Sequence, residues 1–140
     1  MLKYTLLHPE ILAALGGAGH GAKILIADGN YPFSTRAHPG ARRVYLNLAP
    51  GLVNAVDVLR VLVSAIPIES ADIMLTAEGE EAPIIAEFRA LLPLNVPVRG
   101  HDRFAFYDLC RDPDTALVIA TGEQRVYANI LLTIGVVRPS

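Results

Sequence analysis

Lys23-Ile24-Leu25-Ile26-Ala27 is a nearly continuous apolar run, and it ends on Asp28-Gly29-Asn30. An apolar run of this length with no polar alternation suits a strand covered on both faces. The aspartate and glycine then supply a turn. Such a strand needs one layer above it and another below, so this run decides the fold class. The flanking sequence agrees. Pro9 is well placed as a first helical residue, and residues 9–15 read as a short helix that Gly16, Gly17 and Gly19 bring to an end. Residues 44–48 read as a second strand, and 52–66 as a long, largely buried helix in which only Asp57 and Arg60 are charged. A third strand at 73–76, an amphipathic helix at 82–92, a short strand at 96–98 and a helix at 103–110 follow. Apolar strands at 116–121 and 130–137 complete the chain. This alternation predicts a layered α/β domain with a largely parallel or mixed sheet, and 140 residues fit one such domain, 1–140. In these folds the chemistry gathers at the carboxyl ends of strands. Asp28, Thr121-Gly122-Glu123 and Tyr127-Ala128-Asn129 fall there or close by.

Composition narrows the class further. With 52% hydrophobic and 19% charged residues, the chain has the apolar content of a folded domain. Its net charge of −2, with Arg42-Arg43 the only adjacent pair of cations, argues against binding to nucleic acid or a membrane surface. The single cysteine, Cys110, rules out a disulfide within the chain and a cysteine-rich zinc site. It points to a reducing, cytoplasmic compartment. The apolar start of the chain is interrupted by His8, Pro9 and Glu10, with no cleavage site after it, so it does not read as a signal peptide. No apolar stretch approaches the ~18–20 residues of a membrane span. A mean hydropathy of +0.39 with so little charge predicts that part of the surface is buried against copies of the same chain.

The motifs of common cofactor sites are absent. Gly21 is followed by Ala22 where a phosphate loop has lysine and then serine or threonine, and the glycine-rich stretch lies after a helix and before a strand, the reverse of a phosphate loop. Gly17, Gly19 and Gly21 are spaced by two, unlike a dinucleotide fingerprint. No histidine pair has the spacing that puts two metal ligands on one helix face, so no metal is expected. There is no G-x-S-x-G, and Cys110 lies among apolar neighbours, where cysteines pack rather than react. His20 stands among glycines that let the backbone turn sharply and present its ring. It reads either as a solvated loop histidine or as a group that exchanges protons near neutral pH. Asp28 reads either as a turn aspartate or as an acceptor for ligand hydroxyls. Arg103-Phe-Ala-Phe-Tyr107 reads either as core packing beside a solvated arginine or as a cation placed to bond an oxygen. Phe104 and Tyr107 share a face of the helix.

As an ordered set, these residues resemble the ribose pyranase/fucose mutarotase family. The resemblance is carried by Leu15-Gly-x-x-Gly-His20-Gly21, Ala27-Asp28-Gly29-Asn30-Tyr31-Pro32, Arg103-Phe-Ala-Phe-Tyr107, Thr121-Gly122-Glu123, and Tyr127-Ala128-Asn129 with the Ile130-Leu-Leu and Gly135-Val136 that follow. It spans nearly the whole chain, and the Arg-Phe-Ala-Phe-Tyr string favours the fucose branch. The resemblance implies a three-layer α/β/α domain assembled into ring-like homo-oligomers, typically decamers, with active sites at subunit boundaries. It implies a free monosaccharide as ligand, L-fucose first and D-ribose second, with no cofactor. By match, His20 would be the general acid/base. Asp28, Arg103, Tyr127 and Asn129 would bind the sugar, with the Ala128 backbone lining the same pocket and the Tyr-x-Asn segment coming from a neighbouring copy. His101 rivals Arg103, because the ribose branch carries a histidine at the equivalent place.

These residue types suit the chemistry. Opening a pyranose hemiacetal takes a proton from the anomeric hydroxyl and gives one to the ring oxygen. One acid/base group is enough, worth ~10²–10⁴-fold. The alternative from another class is a sugar-binding or regulatory protein with the same pocket and no turnover.

Overall fold

In the computed structural model, which describes residues 1–140, ten elements follow one another. They are α1 (Pro9–Gly17), β1 (Lys23–Ala27), β2 (Arg42–Tyr45), α2 (Ala55–Val63), β3 (Ile68–Met74), α3 (Ile84–Leu91), β4 (Val98–His101), α4 (Arg103–Cys110), β5 (Thr115–Ala120) and β6 (Ile130–Ile134). The strands form one six-stranded sheet in the order β2-β5-β1-β6-β3-β4. β6 runs antiparallel to both neighbours, β1 and β3, and every other pair is parallel. The sheet is therefore mixed, as expected.

The apolar run 24–27 is fully buried, as a strand covered on both faces must be. Ile24 and Ile26 face the larger core, with Ile11 of α1, Leu59 and Leu62 of α2, and Ile85 and Phe88 of α3. Leu25 and Ala27 face the opposite layer, which α4 builds with Phe106 and Cys110 and which Tyr31, Ala37 and Ala41 complete. Three layers result, with α1–α3 on one side and α4 plus the segment 31–41 on the other. Burial among these groups pushes the Cys110 thiol up to about 12, so it packs as an inert apolar group.

Several boundaries differ from the sequence reading, each for a tertiary reason. β3 starts at Ile68, five residues before the predicted strand. Glu69, Ser70 and Asp72 break the apolar pattern, yet β6 and β4 pair with this stretch on both sides. Asp72, buried on one of these faces, is satisfied by His101 Nε2 at 2.7 Å. α2 begins only at Ala55, because residues 48–53 curl back on themselves and onto the segment after β5. There Leu52 N–H bonds Ala49 O at 2.9 Å, and Gly122 N–H bonds Val53 O at 2.9 Å. β2 starts two residues early, at Arg42, and β4 runs on from Val98 to His101. β6 stops at Ile134, and Val136 and Val137 beyond it are exposed.

The contact between the segment after β5 and residues 49–52 is close enough to demand glycine at 122. A Cβ there would stand 2.3 Å from Ala49 O and 2.6 Å from Leu52 O, both backbone atoms that cannot swing away. Gly122→Ala is therefore expected to lower stability by about 1–3 kcal/mol in urea unfolding. No helix is long and apolar enough to cross a membrane.

Candidate active site

The carboxyl end of β1 delivers Asp28 into a tightly bonded corner. Thr121, at the end of the neighbouring β5, donates its hydroxyl to Ala27 O at 2.7 Å, and Gly29 N–H bonds Glu123 O at 2.9 Å. These bonds tie the two strand ends together. Asp28 is 3% exposed and its carboxylate is well used. Oδ1 accepts from Asn30 N–H at 2.9 Å, and Oδ2 accepts from Ala128 N–H at 3.1 Å and from the Asn129 amide at 3.2 Å. Asn129 Oδ1 in turn accepts from Asp28 N–H at 2.8 Å. Burial pushes the Asp28 carboxyl above the usual carboxylate range, although the Asn30, Ala128 and Asn129 donors pull the other way.

The segment before β6 is held from its other side by Glu123, which is 3% exposed. Its carboxylate accepts from Ala55 N–H, at the start of α2, and from the backbone and guanidinium of Arg125, which also bonds Glu87 of α3. Burial alone would raise Glu123, but the Arg125 donors, its charge and Ala55 N–H outweigh burial and hold the acid below the usual range. A carboxyl depressed in the fold stabilises it above the unfolded-state value and loses that contribution as pH falls. Glu123→Gln should thus flatten the loss of stability below about pH 5, which thermal melts from pH 7 to pH 3 would reveal. Held at both ends, the segment keeps Tyr127 at φ 59°, a left-handed conformation that costs a non-glycine residue about 1–3 kcal/mol.

These elements enclose a cavity of about 300 Å³ lined by Asp28, Asn30, Tyr31, Met74, Arg103, Tyr107, Val126, Tyr127 and Asn129. Arg103 reaches it as the first residue of α4, whose start Asp102 caps by accepting from Phe104 and Ala105 N–H, both at 3.0 Å. Asp28, Arg103, Tyr127 and Asn129 are thus brought together within one copy, with Ala128 fully buried behind them. His101 does not line this cavity. Its ring is turned to Asp72, so Arg103 is the residue that faces the space. Tyr31 and Tyr107, whose rings meet edge to face at 5.4 Å, were not singled out as ligand contacts by sequence reasoning. The aromatic pattern around Tyr107 was the available signal.

His20 lies elsewhere. It precedes β1 while Asp28 follows it, and five residues at ~3.3 Å each put roughly 16 Å of strand between them. Gly21, at φ 88°, makes the turn into β1 and donates its N–H to Ile134 O at the far end of β6. His20 Nε2 stands 2.9 Å from Glu69 Oε2, with the two side chains 59% and 45% exposed. In a neutral imidazole, a carboxylate at Nε2 favours the tautomer with the proton on that nitrogen and a lone pair on Nδ1. Glu69 is the residue sequence reasoning missed, because its partner lies 49 positions away. No group of three His, Cys, Asp or Glu is arranged to hold a metal ion.

Residues 1–137 match the model of the RbsD / FucU transport protein family. The chain belongs to this family. Across 97% of its length it is 32% identical to a D-ribose pyranase of Paracidovorax citrulli, covering 98% of that protein. It is 33% identical to the human fucose mutarotase, over 94% of this chain and 90% of that one. Among solved structures it is similar to Bacillus subtilis RbsD complexed with D-ribose. That match has a TM-score of 0.82 at 29% identity and covers 99% of this chain and 100% of the other. Membership of the RbsD/FucU family accounts for the ordered motifs and for the mixed six-stranded sheet.

Proposed function

We propose that this protein interconverts the ring forms and anomers of a free aldose, L-fucose first and D-ribose second. The observation that carries the reading is the cavity itself, where a carboxylate, a guanidinium, a phenol and a carboxamide converge in a member of a family whose named relatives are pyranases and mutarotases. Directional hydrogen bonds from Asp28, Arg103, Tyr127 and Asn129 hold the sugar hydroxyls, while Tyr31 and Tyr107 offer flat surfaces to the ring. His20 of a neighbouring copy supplies the acid/base group, in a ring-shaped homo-oligomer that we take to be a decamer. Its Nδ1 takes the proton of the anomeric hydroxyl, the bond from C1 to the ring oxygen breaks, and the ring oxygen receives a proton from the imidazolium. The product is the open aldehyde, which recloses on either face. No proton is gained or lost overall, and Glu69 steadies the transient charge on the ring. Arg103 rather than His101 on the cavity wall supports the fucose preference.

One observation favours a second reading. A single copy holds the hydroxyl-binding groups without His20, so an isolated copy would bind sugar and not turn it over. Saturation-transfer NMR on fucose, ribose, galactose and rhamnose, with calorimetry on the same panel, separates the two. Exchange above the buffer rate, fastest for fucose and retained in a chelator, is expected. Binding with exchange equal to buffer would overturn catalysis in favour of the sensing role.

A further inference from the structure

The segment 31–41 follows the turn after Asp28 and gives the cavity Tyr31, yet it contains no helix or strand. Its backbone carbonyls therefore need partners from outside the regular ladders. One side chain supplies four of them. Arg43 of β2 donates from Nε to Phe33 O at 2.8 Å, from Nη1 to His38 O and Ala41 O, both at 3.1 Å, and from Nη2 to Ala37 O at 3.4 Å. No carboxylate lies within ion-pair distance of it, in contrast to Arg89, Arg99 and Arg125. The guanidinium is committed to this one segment.

The segment in turn fixes both aromatic walls of the cavity. Tyr31 donates its hydroxyl to Arg36 O at 2.7 Å, and the Arg36 guanidinium lies 5.6 Å over the Tyr107 ring. Tyr31 packs edge to face on Tyr107 and on Phe106. The far end is moored to α4 through His38 N–H on Cys110 O at 2.9 Å.

We infer that Arg43 is a positioning residue for sugar recognition, acting through Tyr31 and Tyr107 by folding residues 33–41 around its guanidinium before any ligand arrives. A planar fork with five donors can serve carbonyls in several directions at once, which an ammonium on a flexible stem cannot. The inference rests on the proposed sugar site but not on its turnover, because His20 and Glu69 lie at the other end of the sheet.

The test compares Arg43→Lys and Arg43→Met with Arg42→Met, whose parent side chain hydrogen-bonds Glu10 O at 3.3 Å and no part of the segment 31–41. Both Arg43 variants should raise KM and the calorimetric Kd for L-fucose about tenfold. They should leave kcat within about twofold and speed amide hydrogen exchange in 33–41 but not in β1. Arg42→Met should change none of these. Unchanged KM and Kd in both Arg43 variants would overturn the inference. So would global unfolding of both, since the guanidinium would then serve the whole fold. If the parent chain binds no sugar of the panel, the proposed function fails. The inference, which rests on that site, then fails with it, whereas a parent chain that binds sugar beside Arg43 variants of unchanged KM and Kd overturns the inference alone.

Discussion

His20→Ala is expected to bind L-fucose about as tightly as the parent chain while losing ~10²–10⁴-fold of its catalysed anomer exchange. The affinity should survive because the groups proposed to hold the sugar hydroxyls, Asp28, Arg103, Tyr127 and Asn129, all line the cavity and are untouched by the substitution. The rate should fall because no imidazole lines the cavity, and its one carboxylate, Asp28, is engaged by three donors. Subunit mixing sharpens the test. If His20 and the cavity of one site come from different copies, then co-refolding His20→Ala with Asp28→Ala rebuilds about one intact site in four by random pairing. Exchange measured by NMR should then rise from near the buffer rate to about a quarter of the parent rate. Mixtures no faster than either variant would show that the two groups do not meet across a subunit boundary.

Asp28→Ala should lower stability by about 2–4 kcal/mol and remove measurable sugar binding. The substitution strips the acceptors from Ala128 N–H and the Asn129 amide, both buried, and each unsatisfied donor costs about 1–3 kcal/mol. It also frees the segment that holds Tyr127 in its left-handed conformation, so a cavity wall is lost with the acceptor. Asp28→Asn separates the two effects. Asparagine keeps the shape and one acceptor oxygen for the Ala128 N–H and the Asn129 amide, while its NH2 faces only Asn30 N–H, so it should cost less stability. One oxygen is replaced by a donor, however, and sugar affinity should still fall. Thermal melts and calorimetry on the two variants check this. Equal losses of stability would mean that the charge, rather than the acceptor geometry, holds the corner together.

The elements were legible in proportion to their local pattern. The run 24–27 and the apolar stretch of β5 stand out because both faces of each strand are covered, and the layered class follows from them. β3 was half hidden, since Glu69, Ser70 and Asp72 carry polar side chains whose partners lie far off in sequence. The start of α2 was placed too early because Leu52 and Val53 are apolar, and only their bonds to residues 46–49 and to Gly122 show them to be loop. Of the site, Asp28, Arg103, Tyr127 and Asn129 were readable as chemistry-bearing residues at strand and helix ends, helped by the family's ordered motifs. Tyr31 and Tyr107 gained their places as cavity walls from packing, and Glu69 from its bond to a residue 49 positions away.

The order and type of the apolar segments, the lack of cofactor motifs and the identity of the polar residues at the strand ends are properties of the linear chain. They depend on side-chain periodicity and backbone preference, which act over a few neighbours. Which of those residues share a cavity was decided by the sheet. Parallel pairing of β1 with β5 and antiparallel pairing with β6 bring Asp28 against Asn129, 101 positions later, and leave His20 at the opposite end of β1, against Glu69 of β3. A strand has two ends, and only its pairing with distant strands determines what each end meets.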